Sequence, residues 1–314
     1  MNVSLPALPS IPEYHVTNLI FYDVDDVVKV NASAIIPNPY PIKLNLPSLN
    51  FTISLPGCDG SPIPLASAIT PELFVKPKAD MKIPVFGTMD CLPTNLTQAC
   101  PGDDRSSMDN FLESYLHGNS SIVYVRGAEQ HKGSEAPKWL ASFLQSITAT
   151  IPFPGHKFDN MVEDIGLSNV KFILPDGEPG TPKASPKISA HIDATVTLPT
   201  EFDFPISVQG LKATADLSYH KEKFAEMYVK DWQPARSSPT DDGKLAVQAD
   251  VDQAPLNITN YAVFKIVVQR LLWGAGRGLI LGIDGLTDVQ METNLGKFAI
   301  RGIPAKGDVT IKGV

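Results

Sequence analysis

The most chemistry-like string in the sequence is Leu19-Ile-Phe-Tyr-Asp23-Val-Asp25-Asp26-Val27, an apolar run delivering two carboxylates two residues apart. A carboxylate so placed can attack phosphorus while its neighbour serves as acid and base. That reaction also needs magnesium-binding carboxylates and a basic residue for the phosphate. Gly102-Asp103-Asp104 offers a later acidic pair, but in a loop rich in Cys and Pro rather than after a strand. The string therefore reads as an acidic turn between two strands. Gly274-Ala-Gly276-Arg-Gly278 invites a nucleotide reading, yet the third glycine of a dinucleotide fingerprint would fall at Leu279, and the order of strand and helix is reversed. It reads as the end of a helix. The histidines His15, His117, His131, His156, His191 and His220 show no metal-ligand spacing, and no His-Glu-x-x-His, Cys-x-x-Cys or Gly-x-Ser-x-Gly occurs. Asp25, Asp26, Asp241, Asp242 and Asp250 lack an ordered calcium-loop pattern and read as solvated turns. Trp139, Trp232 and Trp273 read as core or module-interface residues. No catalytic, cofactor-binding or metal-binding residue is assigned.

Composition points the same way. The chain has 314 residues, enough for about two domains. Its 28 prolines and 22 glycines suit short strands joined by turns. The net charge of -8, with no basic stripe, disfavours nucleic acid as a partner. Six Asn-x-Ser/Thr sequons start at Asn2, Asn31, Asn50, Asn95, Asn119 and Asn257, where random placement of these residue types gives about two. They are candidate glycosylation sites if the chain enters a lumenal or extracellular compartment. Cys91 and Cys100 flank a polar loop that a disulfide could close, and Cys58 is either unpaired or an alternative partner. The N-terminus lacks the pattern of a signal peptide. The most apolar window, Tyr261 to Ile283, is interrupted by Lys265, Arg270 and Arg277 and is not a bilayer span. A lumenal location thus implies a membrane anchor upstream of this chain.

The elements that would position any site come in two copies. One offset of 162 residues separates Pro37 from Pro199, Leu49 from Leu211, Thr52 from Thr214 and Leu55 from Leu217, inside segments that alternate apolar and polar. Val16-Thr-Asn-Leu is echoed by Leu167-Ser-Asn-Val at an offset of 151, with the 11 extra residues assigned to a loop over Asp176 to Pro186. Gly118 and Gly127 recur as Gly276 and Gly285 at 158. Strands are expected at Val27–Ile36, Ile42–Leu55, Ser121–Val125, Leu167–Phe172, Lys187–Leu198, Ile206–Tyr219 and Lys244–Val251, with a terminal meander of four strands between Gly278 and Lys312. Apolar faces predict helices over Ser107–Gly118, Ala136–Ile147 and Thr259–Trp273, the last capped by Thr259. The expected fold is mostly β: two tandem immunoglobulin-like sandwiches, residues 1–155 and 156–314, each with one or two short helices.

The run from Val27 to Leu55, a strand followed by Asn38-Pro39-Tyr40-Pro41 and then Ile-x-Leu-x-Leu, resembles the late-embryogenesis-abundant type 2 domain. The second copy has Pro199-Thr-Glu in place of Asn-Pro-Tyr, so its membership rests on the repeat. The tandem, its sequons and the C-terminal Gly285-Leu-Thr-Asp…Gly296-Lys-Phe…Gly302-Ile-Pro together resemble the C-terminal lumenal part of fungal vacuolar membrane proteins acting in termination of autophagy. Relatives of those proteins carry the label pre-rRNA processing protein, which an acidic pair of sandwiches does not support. The resemblance implies modules on the lumenal side of the vacuolar membrane (the alternative being extracellular), a non-enzymatic binding or structural role, no cofactor, and a partner, protein or lipid, that it leaves unidentified. Two other functions are weighed. The helices at Ala136–Ile147 and Thr259–Trp273 could cover a groove for a lipid or other apolar ligand. The Asp23-x-Asp25 string is similar to the first motif of haloacid-dehalogenase-type phosphatases.

Overall fold

A computed structural model describes residues 14–41, 43–130, 136–158, 161–173, 185–273 and 278–311. The loop expected over Asp176 to Pro186 therefore lies almost wholly outside the described residues, as do Asn2, His131 and Gly274 to Arg277. The chain is mostly β and sandwich-like, and it divides into two compact units. Unit 1 draws on Met1–Pro93 and Ser120–Pro154; unit 2 draws on Thr94–Asn119 and Gly155–Val314.

Unit 1 begins with β1 (His15–Val24), β2 (Val27–Ile36), β3 (Leu44–Leu46), β4 (Leu49–Pro56), β5 (Pro62–Thr70), β6 (Leu73–Val75) and β7 (Met81–Met89). The chain then supplies α1 (Thr94–Thr97) and α2 (Ser107–Leu116), which belong to unit 2. Unit 1 resumes with β8 (Ser121–Gly127), α3 (Lys138–Ser146) and β9 (Thr148–Phe153). Its antiparallel order is β1-β2-β7-β5-β4-β8-β9, with β3 and β6 forming a separate ribbon. The single strand expected over Ile42–Leu55 is split at Pro47, which has no N–H for the ladder. Asn38 pins the proline-rich turn: its side-chain amide donates to the Lys76 carbonyl (2.8 Å) and its oxygen accepts from the Tyr40 N–H (3.2 Å).

Unit 2 continues with β10 (Val162–Ile173), β11 (Lys187–Val196), β12 (Phe202–Asp203), β13 (Ile206–Tyr219), β14 (Glu222–Pro239), β15 (Leu245–Ile258), α4 (Tyr261–Trp273), β16 (Leu279–Thr293) and β17 (Gly296–Ile311). Its order is β10-β11-β15-β14-β13-β16-β17. Strand for strand this is the order of unit 1, with β10 in the place of β1, β15 of β7, β13 of β4 and β17 of β9. The duplication extends to an irregularity. Asn18 and Asn169, matched by the 151 offset, both adopt left-handed φ (54° and 52°), and at both the ladder slips register. Asn tolerates that conformation better than any branched residue, so the repeated Asn marks a repeated bulge. The four-strand terminal meander proves to be one long hairpin, β16 with β17, whose register shifts between Thr287 and Val289.

In unit 2 the sheet curls until β10 and β17, the ends of the order, lie side by side. Inside, Leu217, Phe224, Leu281, Val309 and Ile311 are fully buried, and α4 inserts Val263, Phe264 and Val267. Each such side chain contributes about 1.5–3 kcal/mol of transfer free energy. A smaller cluster, Val208, Leu211, Ala235, Leu245, Val247 and Ala249, is built from β13, β14 and β15. The α4 cap differs from expectation by one residue: Asn260, not Thr259, accepts the Ala262 and Val263 N–H groups (3.1 and 3.2 Å). The tryptophan expectation is corrected for two residues: Trp139 and Trp273 are 71% and 73% exposed. Helix α3 turns Leu140 and Leu144 inward instead, and its close seat depends on Gly127, where a Cβ would lie 2.7 Å from the Leu144 carbonyl carbon.

Candidate functional site

The acidic string lies where two strands reverse. Val24 pairs with Val27, and the two residues between them, Asp25 and Asp26, both have positive φ (54° and 61°). This is the primed two-residue hairpin turn that matches strand twist. Asp25 and Asp26 are exposed, and Asp104 of the later acidic pair is engaged with Arg301. The hairpin that carries these carboxylates is antiparallel, as are the pairings of β2 with β7 and of β7 with β5 beyond it, so the parallel strand–helix scaffold of such phosphatases is not what carries them.

The most highly organised polar cluster is in unit 2, where α2 packs on β17. Ser106 is the N-cap of α2 and accepts the Asp109 N–H (3.0 Å), while Asp109 Oδ2 accepts the Ser106 N–H (3.2 Å). This reciprocal capping box fixes the start of the helix. The second oxygen, Oδ1, accepts the Ala299 N–H of β17 (2.9 Å), so one buried carboxylate joins helix cap and strand. Next to it lies Arg301, its side chain only 7% exposed. Its guanidinium donates to the Asp104 carboxylate (3.1 Å) and carbonyl (2.7 Å), and stands 3.7 Å from Asp109 and 3.5 Å from Asp288. Asp288 sits at the β16 register shift and accepts the Gly302 N–H (3.0 Å). The bulge thus aims its carboxylate at Arg301.

Electrostatics follow from this geometry. The Arg301 hydrogen bond, with its charge and that of Lys212, holds the Asp104 carboxyl below the usual carboxylate range. Lys212 Nζ also lies 4.8 Å above the Trp232 ring. At the other end of α2 the His117 ring nitrogens stand 2.6 Å from the Glu113 carbonyl oxygen and 3.1 Å from that of Gly302. Gly302 has φ +67°, and a Cβ there would meet the His117 ring at 3.2 Å. Leu116, Lys157, Phe158, Met161 and Pro304 help line a pocket of ≈ 40 Å³ beside it. Ligand pockets of drug or lipid size run from about 300 Å³, so this one holds no lipid. The arrangement clamps a helix to a strand; it does not present an activated nucleophile.

The sequence reading missed Arg301. Its signal was a lone cation within Phe298-Ala-Ile-Arg-Gly-Ile303, and Ser106-Ser-Met-Asp109 matched the capping-box pattern. Among the sequons, Asn95, Asn119 and Asn257 are exposed, with the Asn257 amide donating to Glu226 (3.0 Å); Asn31 and Asn50 are half-buried. The stretch between Cys91 and Cys100 is not a loose loop but winds into α1 around buried Leu96. His191 is drawn into a polar pair, its Nδ1 2.7 Å from Asp250, and that hydrogen bond raises its pKa above the ordinary value.

Residues 202–312 match the family described as the Tag1 C-terminal domain. The matched stretch runs from β12 to the end of β17 and so contains α4, Asp288 and Arg301. It is consistent with the C-terminal domain of a Tag1-like protein. No curated protein matches the chain.

Proposed function

We propose that the chain is a non-enzymatic contact module: two late-embryogenesis-abundant type 2-like sandwiches that form the lumenal part of a fungal vacuolar membrane protein linked to the regulation of autophagy. The observation that carries this reading is the match of residues 202–312 to the Tag1 C-terminal domain. The shared strand order of the two units supports the tandem. On this reading the working surfaces are strand edges such as β9 and the loops between strands, which pair with a partner strand or loop by backbone hydrogen bonds. The polar cluster at Arg301 serves to hold the fold. Among the described residues no helix is long and apolar enough to cross a membrane; a membrane anchor upstream of Met1 is part of the proposal.

The test is deglycosylation of the native protein, expressed from its full-length gene in its own host. A lumenal domain with exposed sequons at Asn95, Asn119 and Asn257 shifts in mobility on enzymatic removal of N-glycans. A band that does not move, with a control vacuolar glycoprotein shifting in the same extract, removes the support for a lumenal location.

A further inference from the structure

Helix α4 buries one face in the core of unit 2 and leaves the other uncovered. Val263, Phe264, Val267, Val268 and Leu271 face inward. Outward, Ala262, Ile266, Gln269 and Trp273 follow one another at helical spacing and form a single stripe, in which Ile266 is 44% and Trp273 73% exposed. Lys265 borders the stripe on one side and Arg270 on the other, both exposed. Tyr261, also 73% exposed, stands at the opposite end of the helix from Trp273. The helix contains no acidic residue, although the chain as a whole carries a charge of -8. Arg270 is held at its rim by the Tyr219 ring, 5.6 Å beneath its guanidinium. The acidic contact at the helix start is Glu222, which accepts from the Asn260 amide (2.8 Å).

We infer that this face of α4 docks onto the surface of an anionic lipid bilayer. Aromatic rings at both ends of a helix suit the headgroup level of a membrane, where an apolar body and a polar tip are both satisfied. Lysine and arginine on both rims lay their aliphatic stems along the apolar stripe and carry their charges up to lipid phosphates. A local cationic face on a protein of net negative charge also favours one orientation, because it is a side drawn toward a negative surface. The affinity is modest, resting on one Trp, one Ile and two cations, and suits a surface held near the membrane by another tether. This inference needs neither the lumenal location nor the family match.

The experiment is co-sedimentation of the full chain with vesicles of phosphatidylcholine, alone or with about one-third phosphatidylserine. Binding is expected to the anionic vesicles only, and to fall as salt rises from about 0.1 M to about 0.5 M. Lys265→Ala and Arg270→Ala should each weaken it about fivefold, and Trp273→Ser about tenfold. All three side chains are exposed, so thermal unfolding of the Lys265 and Trp273 variants should match that of the parent, and Arg270→Ala, which also gives up the Tyr219 ring contact, should unfold only slightly earlier. No binding to anionic vesicles overturns the inference, as does equal binding to both vesicle types. A partition that survives Trp273→Ser but is lost in Trp139→Ser overturns the assignment to α4.

Discussion

Replacing Arg301 by methionine isolates what the polar cluster contributes. The substitution keeps an unbranched chain of similar reach and removes the guanidinium. Asp109, whose side chain is 8% exposed, then keeps its two backbone donors, Ser106 and Ala299, but loses its neighbouring cation. Asp288 keeps only the Gly302 N–H among the contacts described above. Breaking a buried ion pair by removing one partner costs about 3–5 kcal/mol, because the remaining charge stays buried without compensation. Asp104 is largely exposed and rehydrates, which places the expected loss near the lower bound, about 3 kcal/mol. That is a factor of about 150 in the equilibrium that holds α2 on β17. Urea unfolding followed through unit 2 gives the overall loss, and amide exchange over residues 94–119 locates it. Arg301→Lys should fall between parent and methionine variant, since an ammonium keeps the charge but cannot reach the Asp104 carboxylate and carbonyl together. The Asp104 carboxyl should also return toward its ordinary value in Arg301→Met. Its lowered value in the parent contributes stability above the usual carboxylate range, lost as pH falls through the lowered value, so the acid limb of the stability curve flattens in the variant. A loss below about 1 kcal/mol, or faster exchange everywhere except residues 94–119, would refute the account of a buried clamp.

Further outcomes follow from single positions. Gly285→Ala should cost about 2 kcal/mol or more by urea denaturation, because its Cβ would overlap the Thr214 carbonyl oxygen and lie 2.8 Å from the Ala215 Cα in the paired strand. Asn169→Gly should be nearly neutral and Asn169→Val should cost about 1–2 kcal/mol in the same assay, since left-handed φ penalises a branched side chain; equal effects would mean the bulge is not held by that conformation. His191 should titrate above its ordinary value by NMR, and Asp250→Asn should bring it back. The raised value means its contribution is complete below pH about 6.5 and fades as pH rises through the folded pKa. Glu226, held down to about 2 by Lys223, then Tyr228 and Asn257, should show a carboxyl titration near that value that rises in Lys223→Met.

The parts of the fold legible in the sequence are those written in short-range periodicity. β2, α2, α4 and the 151-residue echo at Asn18 and Asn169 are all visible because alternation, apolar faces and turn residues act locally. The exposed sides of α3 and α4 were not legible: the same apolar count serves a buried face and an uncovered one. α1 is equally hidden, since a short polar stretch between Cys91 and Cys100 reads as a loop and carries no apolar face that shows a helix. The long β16–β17 hairpin has the sequence pattern of four strands because Asp284, Gly285 and Asp288 resemble a turn, whereas the ladder absorbs them with a single register shift.

The most informative failure concerns α2. Its place in the chain, between β7 and β8, is the place of α4 between β15 and β16, and the glycines that follow both helices share one offset. Periodicity therefore predicts two equivalent helices, each closing its own sheet. In fact α4 packs on β14 and β16, while α2 packs on β17 of unit 2. Phe111, Leu112, Tyr115 and Leu116 make α2 a helix but do not select its partner, because hydrophobic burial has no direction. Selection falls to the polar groups: Asp109 finds a backbone donor at Ala299, Asp104 finds Arg301, and Asp288, placed by a bulge, faces Arg301 from β16. The two pairings that reach from the α2 segment to β17 join residues far apart in sequence, some 190 positions for Asp109 and Ala299 and 197 for Asp104 and Arg301. A repeat copied in sequence thus kept its strand order and changed the destination of one helix through a few charged side chains. Neutralising them with Asp109→Ala and Arg301→Met should release α2 from β17 to a far greater extent than truncating Leu112, which is only half-buried, to Ala. Amide exchange of residues 107–116 compares the two directly, and equal protection in both variants would show that apolar contact, not the charged cluster, decides where the helix goes.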